Sequence, residues 1–546
     1  MNRKAYLSVL LALVFLAFAF LTGCSSGNSK SATGTTYVFY LNGLEATNGG
    51  PNFYTVAGAV TLDSSGNVTG GEEDYNDGFG LTDAPTPIAA SSGALTVDAT
   101  GQGTLTLTVG DTNLGASGVE TLGVQFVNAN HALITQFDGS ATSSGSLDLQ
   151  SATSSPGNFA FTLSGVDTSY FPIAIGGIVT VGSGAINGVV DVNDDGAITT
   201  DFTLSTGTVS DTDAFGRGTI TGTEIATTLG YYVVGPEAVR LIVDDPTAAA
   251  VGSAYGQGTA TFSAASIGSS VFGIQGNTWG ELYGAAGSFT TDGVSAIVSG
   301  VADDDENSGS IFSGVAIDGS YTMGSTGYGS VTITAGELQS VSALGVYATD
   351  PTLNLLDPNN TTGGGGALIV DLDANLAGGT GVLLPQTDTN PADFTGSSST
   401  YAFGAQAFGG SGTSTGWEWD AVGQGAFTAG AFAGTGLVND PFSIFAAAAA
   451  GYTGVTFAGT PAADAAEATT GRYTMLNSDE NALVITVVPD TPIDYSVVVY
   501  QASGTQAFWL DEDTFGTFLG PMEQQGTLTG IPAVQKAMVK SPQQKR

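Results

Sequence analysis

Gly188-Val-Val-Asp-Val-Asn-Asp194 has a near twin at Gly71-Glu-Glu-Asp-Tyr-Asn-Asp77 and looser counterparts at Gly300-Val-Ala-Asp-Asp-Asp305 and Gly436-Leu-Val-Asn-Asp440. Ahead of each lies a segment ending in Gly and a β-prone pair: Gly58-Ala-Val-Thr, Gly177-Ile-Val-Thr, Gly287-Ser-Phe-Thr and Gly425-Ala-Phe-Thr. Further upstream come the alternating stretches that open at Tyr37, Phe159, Val271 and Tyr401. Downstream, Gly101-Gln-Gly-Thr104 recurs as Gly216-Arg-Gly-Thr219, Gly327-Tyr-Gly-Ser330 and Gly471-Arg-Tyr-Thr474, and three blocks close near Gln150, Gln257 and Gln524. Landmarks shared in one order at similar offsets mark internal duplication. The chain carries four divergent copies of one domain.

Each copy holds about eight short alternating segments separated by Gly, Asn, Asp or Ser turns, with no helical period. The fold class is therefore all-β: four tandem small antiparallel β-domains. Eight sequential hairpin-linked strands close into an up-and-down, calycin-like barrel, which leaves no free edge. Sandwiches are the alternative, since periodicity does not separate the two. The expected organisation is a leader at 1–24, a tether at 25–36, repeats at 37–150, 158–257, 271–386 and 400–525, and a basic polar tail at 526–546 read as frayed or loosely docked.

Met1-Asn-Arg-Lys4 precedes an apolar run that ends in Leu21-Thr-Gly-Cys24. A basic start, an apolar stretch and a small-residue end form a secretory signal. The terminal Leu-Thr-Gly-Cys resembles the lipobox of bacterial lipoproteins, which makes Cys24 the expected lipidation site. Ser25, standing where an inner-membrane retention signal has Asp, favours the outer membrane by the same resemblance. The repeats, clearest at Asp74-Tyr-Asn-Asp77 and Asp191-Val-Asn-Asp194, resemble the tandem β-repeat lipoproteins of acidobacterial type. That resemblance implies an architecture and a place in the cell envelope, with no activity attached. The membrane, through the lipid, is the one expected partner, beside an envelope polymer or small ligand.

Formal net charge is −40, with fifty acids against ten basic residues. Between Ser31 and Gln535 the basic residues are Arg217, Arg240 and Arg472. Such a surface repels nucleic acid, which is excluded as a partner. Cys24 is the single cysteine, so a disulfide framework is excluded as well.

Catalytic signals are weak, and no enzyme is expected. His131, the one histidine, reads as a solvated turn residue with no nucleophile pattern around it. Acids gather at repeated turn positions without a marked pair, which leaves a carbohydrate-active enzyme as the weakest reading. Trp279, Trp417, Trp419 and Trp509 read as core, with a sugar-stacking platform as the alternative. Asp191, Asn193 and Asp195 occupy positions one, three and five of a calcium-type loop, with Gly196 at six. Position twelve is Phe202, and the flanks read as strands, so an EF-hand is excluded. A loose calcium site at a hairpin tip is the single cofactor candidate, against an Asx-turn. Two functions compete: tandem β-domains for surface structure or adhesion, and a small apolar or carbohydrate ligand held in barrel cavities.

Overall fold

The computed structural model describes residues 34–45, 51–78, 85–278, 281–305, 311–334, 338, 341–374, 378–390, 399–409, 417–428, 430–442, 451–463, 469–476, 483–488, 491–512 and 516–532. Cys24 with the leader, nearly all of the tether, Trp279, the alanine run at 446–450 and the tail from 533 lie outside the described residues.

The protein is all-β, built from four tandem antiparallel domains. Barrel 2 runs through eight strands from Gly157–Asp167 to Ala248–Gly256 and closes first strand on last, Phe159 opposite Gly256. Barrel 3 does the same from Ser270–Thr278 to Gly379–Pro385. Barrel 4 closes Thr400–Gly409 on Gly516–Gln524 and carries an extra hairpin, Leu483–Val488 with Thr491–Tyr495, on its strand Gly451–Ala463. Barrel 1, from Thr35–Glu45 to Ala141–Leu149, has a broken side. Two three-residue strands, Thr86–Ile88 and Leu95–Val97, stand there, and an Asn67–Ala94 bridge spans the gap.

Registers define which residues correspond. Phe39 pairs with Gly58, Phe161 with Gly177, Phe272 with Gly287 and Phe403 with Gly423. In three of these pairs the ring lies against the glycine. A Cβ would stand 2.6 Å from Phe39 Cζ at Gly58, 2.5 Å from Phe272 Cε1 at Gly287 and 2.5 Å from Phe403 Cζ at Gly423. A larger residue would push the ring out of the lumen. The counterpart of Gly58 is thus Gly423, not Gly425. Carried to the third strands, the alignment sets Asp74, Asp191, Asp303 and Leu437 at one position, and Asn76, Asn193, Asp305 and Asn439 two residues on.

The four barrels form a closed ring. After each last strand a glutamine side-chain amide donates to two carbonyls of the next barrel. Gln150 reaches Phe215 O (2.7 Å) and Val233 O (2.9 Å); Gln257 reaches Thr326 O (2.9 Å) and Ala348 O (2.8 Å). Gln386 reaches Thr470 O (2.7 Å) and Gln501 O (2.9 Å). Gln525 of barrel 4 reaches Thr100 O (2.7 Å) and Phe126 O (2.8 Å) of barrel 1. The repeated closing residue in barrel 4 is therefore Gln525 rather than Gln524, and barrel 3 has one too. One apolar core runs down the axis, joining Val38, Tyr255, Tyr347 and Phe508 from the four barrels in turn.

Candidate functional site

Alternation sends odd and even residues of each third strand to opposite faces. Asp74 therefore leaves barrel 1 and meets barrel 2. Arg217 Nε donates to its Oδ2 at 2.6 Å, Arg217 Nη2 to its Oδ1 at 2.9 Å, and the Tyr232 hydroxyl to Oδ2 at 3.0 Å. Asn76, two residues on, donates to Val243 O and Ala248 O, both at 2.8 Å. At the second seam Asp191 accepts from the Tyr328 and Tyr347 hydroxyls, both at 2.6 Å, and Asn193 donates to Asp371 O at 3.0 Å. At the third, Asp303 accepts from Arg472 Nε (2.7 Å), Arg472 Nη2 (2.6 Å) and the Tyr500 hydroxyl. Burial would raise Asp303, but Arg472 outweighs it and holds the carboxyl below its ordinary value.

The fourth seam differs. Leu437 replaces the acid and packs with Val127 and Leu133 of barrel 1, while Asn439 keeps its role by donating to Ala141 O at 2.7 Å. Opposite stand Gln102 and Gln125, at the positions of Arg217 and Tyr232. The residue after the first glycine of each Gly-x-Gly-Thr landmark is thus the receptor for the previous barrel's third strand.

Residues 191–196, the calcium-type stretch, divide between a seam and a turn. Asp191 and Asn193 are buried in the seam to barrel 3. Asp195 and Gly196, with φ of 50° and 79°, make a two-residue turn between Asp194 and Ala197. Positive φ at both central residues is a type I′ hairpin, for which Asp-Gly is a favoured pair. The Asp191 carboxylate is occupied by two phenols and the Asp201 N–H (3.0 Å). Among the described residues no three His, Cys, Asp or Glu side chains are grouped to hold a metal ion.

His131 is not a solvated turn residue. It is fully buried at the junction of three barrels. Its Nδ1 lies 2.7 Å from Asp148 Oδ1, and its Nε2 lies 3.2 Å from Glu523 Oε1 of barrel 4. Arg240 of barrel 2 donates through Nε to Asp148 Oδ2 at 3.2 Å and stands 4.5 Å over the Tyr40 ring. Burial would lower His131, but Glu523 and Asp148 hold it well above its ordinary value. Burial would raise Asp148, yet Arg240 and His131 bring it down to about 2. The imidazole is spent as a charged joint and leaves no free nitrogen for base catalysis. This network lines an axial chamber of about 300 Å³ that also takes in Asn42, Ser164, Gln275 and Gln406 from the four first strands.

A second cavity, about 330 Å³, occupies one end of barrel 2 and is lined by Phe159, Phe161, Val179, Leu204, Leu241 and Ala254, with Ser183, Ser210 and Thr212 at its mouth. Among the described residues, each other barrel takes a large apolar side chain into its core, and in barrel 3 a smaller cavity of about 230 Å³ remains beside it. Ile531, buried after the last strand, packs into the core of barrel 1, so the start of the basic tail is docked. Ile267, in the linker before barrel 3, joins that barrel's core, and the Tyr321 hydroxyl binds Ala264 O beside it at 3.0 Å. In barrel 4, Trp509 stands where barrel 2 has Leu241, packed edge-on to Phe403 and Phe518 at 4.9 and 5.0 Å. Trp419 and Trp509 are thus core residues, 2% and 1% exposed. The linker into barrel 2, Ser151-Ala-Thr-Ser-Ser-Pro156, offers no large apolar stopper.

No family model matches this chain, and no curated protein does. Among solved structures it aligns with a transferrin binding protein B double mutant from Haemophilus parasuis Hp5. That alignment has 10% identity, covers 90% of this chain and 95% of that chain, and has a TM-score of 0.20. A second is isotype 1 transferrin binding protein B from serogroup B Neisseria meningitidis, at 11% identity, 90% and 99% coverage and a TM-score of 0.19. Overlap this slight carries nothing to this chain's function. Among the described residues no helix is long and apolar enough to cross a membrane.

Proposed function

We propose that this is a lipid-anchored, non-catalytic binding protein of the cell envelope, holding a small apolar molecule in the lumen of barrel 2. The observation that carries the reading is the apolar lumen at one end of barrel 2, where the described residues of barrels 1, 3 and 4 set Ile531, Ile267 and Trp509 into their cores. Binding sites are concave and mostly apolar, with a few polar groups at the rim, and this lumen has that character. Its volume suits a ligand of roughly ten to twenty heavy atoms, near the lower bound of ordinary ligand pockets, about 300–1,000 Å³. The rigid ring supplies the surface structure, and Cys24 supplies the tether. Adhesion as the sole function is less favoured, because it gives barrel 2 no reason to remain open.

The test is titration of the Cys24→Ser chain with N-phenyl-1-naphthylamine, an apolar fluorophore that brightens out of water. Saturable binding, abolished by Ala254→Phe at unchanged thermal stability, supports the lumen. Equal binding by wild type and Ala254→Phe rejects it. Partition of the unaltered chain into the membrane fraction, with Cys24→Ser soluble, tests the anchor separately.

A further inference from the structure

We infer that barrel 1 encloses a binding site for a hard divalent cation of the calcium class, held by Glu73 and Glu120 with the Gln136 side-chain carbonyl. These residues face inward by strand parity. Glu73 alternates with Asp74, which leaves the barrel toward Arg217; Glu120 is in phase with Leu122 and Val124, and Gln136 with Ala132 and Ile134, all core. The Tyr54 and Ser143 side chains share the layer, both paired in register with Gly43, and Gln136 follows on beside Ser143.

Glu73 and Glu120 are both 0% exposed, their carboxyls lie within hydrogen-bonding reach of each other, and no donor from another described residue reaches any of their four oxygens. An isolated buried carboxylate is costly, and two side by side are more so. The described arginines are engaged elsewhere, Arg217 with Asp74 and Asp244, Arg240 with Asp148 and Arg472 with Asp303, and His131 sits between Asp148 and Glu523.

Gln136 is the independent sign of a ligand. Its Nε2 is fixed by two acceptors, Leu114 O at 2.7 Å and Asp138 Oδ2 at 2.8 Å, so the amide orientation is set. The remaining Oε1 is buried without a donor. Two carboxylates and a neutral carbonyl, with hydroxyls in the same layer, form an all-oxygen set whose charge matches a divalent ion. Hard oxygen donors select calcium over softer metals, and calcium accepts neutral protein oxygens where magnesium keeps its waters. The Glu73 position is not acidic in the other barrels, where it corresponds to Val190, Ala302 and Gly436.

The experiment is terbium titration of the full Cys24→Ser chain, with tyrosine excitation, since Tyr54 lies in this barrel's core and Tyr75 packs against it. The expected result is saturable sensitised emission displaced by calcium, a calcium-dependent rise in melting temperature, loss of both in Glu73→Gln and Glu120→Gln, and at least tenfold tighter binding in Gln136→Glu. Absence of emission and of any melting shift at millimolar calcium overturns the site, because the acids then share a proton instead. Unchanged binding in both Gln variants also overturns it and sends the ion elsewhere on the acidic surface.

Discussion

Arg217 grips Asp74 across the first seam with a two-bond fork, Nε at 2.6 Å and Nη2 at 2.9 Å, between residues 143 apart in the chain. The same junction is made by two phenols on Asp191 at the second seam, by Arg472 on Asp303 at the third, and by Leu437, in place of the acid, against Val127 and Leu133 at the fourth. Four barrels with weak sequence likeness are thus joined by one device with interchangeable chemistry.

Asp74→Ala leaves a buried guanidinium with Asp244 as its remaining carboxylate and the Tyr232 hydroxyl without its acceptor. Breaking a buried pair from one side costs about 3–5 kcal/mol. Asp191→Ala removes an acceptor from two neutral phenols and is expected to cost less, about 1–3 kcal/mol. Urea unfolding of both variants checks the order.

The closing glutamines give a test in series. Replacing Gln150, Gln257, Gln386 or Gln525 by Leu strips two carbonyls of their donor and is expected to cost about 1–3 kcal/mol each. In a closed ring Gln525→Leu behaves like the other three; in an open chain it has no effect on stability. Parallel thermal melts of the four variants show which holds.

The fourth seam buries Asp420, whose carboxylate accepts from Thr142 Oγ1 at 2.6 Å and Ser144 Oγ at 2.7 Å. Burial pushes Asp420 up to about 7, against those hydrogen bonds. An unfolded aspartate ionises near 3.8, so between about pH 4 and 7 the folded state holds the extra proton. Stability from Asp420 and its neighbour Glu418, which burial also raises, therefore falls as pH rises through that window. Asp420→Asn is expected to flatten the decline, read as melting temperature against pH.

His131 acts in a higher window. Its folded value lies well above the ordinary 6.5, so its contribution is complete below that pH and is lost as pH rises through the raised value. His131→Phe leaves Glu523 buried without its cation and is expected to cost about 3 kcal/mol at neutral pH. It is also expected to remove the alkaline decline, measurable by the same melts.

Strand alternation and the four copies were legible because they are local, whereas barrel closure pairs strands about a hundred residues apart, as Phe159 with Gly256, and periodicity left a sandwich open. Alternating residues and turn glycines carry the first two within each block. The shift of Leu437 was not legible, because Gly425-Ala-Phe-Thr imitates the landmark while the Phe403 ring marks Gly423 as its counterpart. Nor was the role of Asp191 and Asn193: read alone they look like an Asx-turn or a metal loop, and their partners lie 137 to 178 residues away. One signal was present. Blocks with Asp at the third-strand position are followed by blocks with Arg or Tyr after the landmark glycine, whereas Leu437 faces Gln102. His131 looked solvated for the same reason, since Glu523 lies 392 residues downstream.

Ring closure is tested most directly by a distance between the first and last barrels. Gln102 Nε2 of barrel 1 lies 3.3 Å from Thr435 O of barrel 4. Spin labels at Gln102→Cys and Thr435→Cys, in the Cys24→Ser chain, are read by double electron–electron resonance. A closed ring gives one narrow distribution at short range, about 20 Å or less once the label arms are included. Four domains strung in a line, each roughly 30 Å across, would give a broad distribution on the order of 100 Å and contradict the ring.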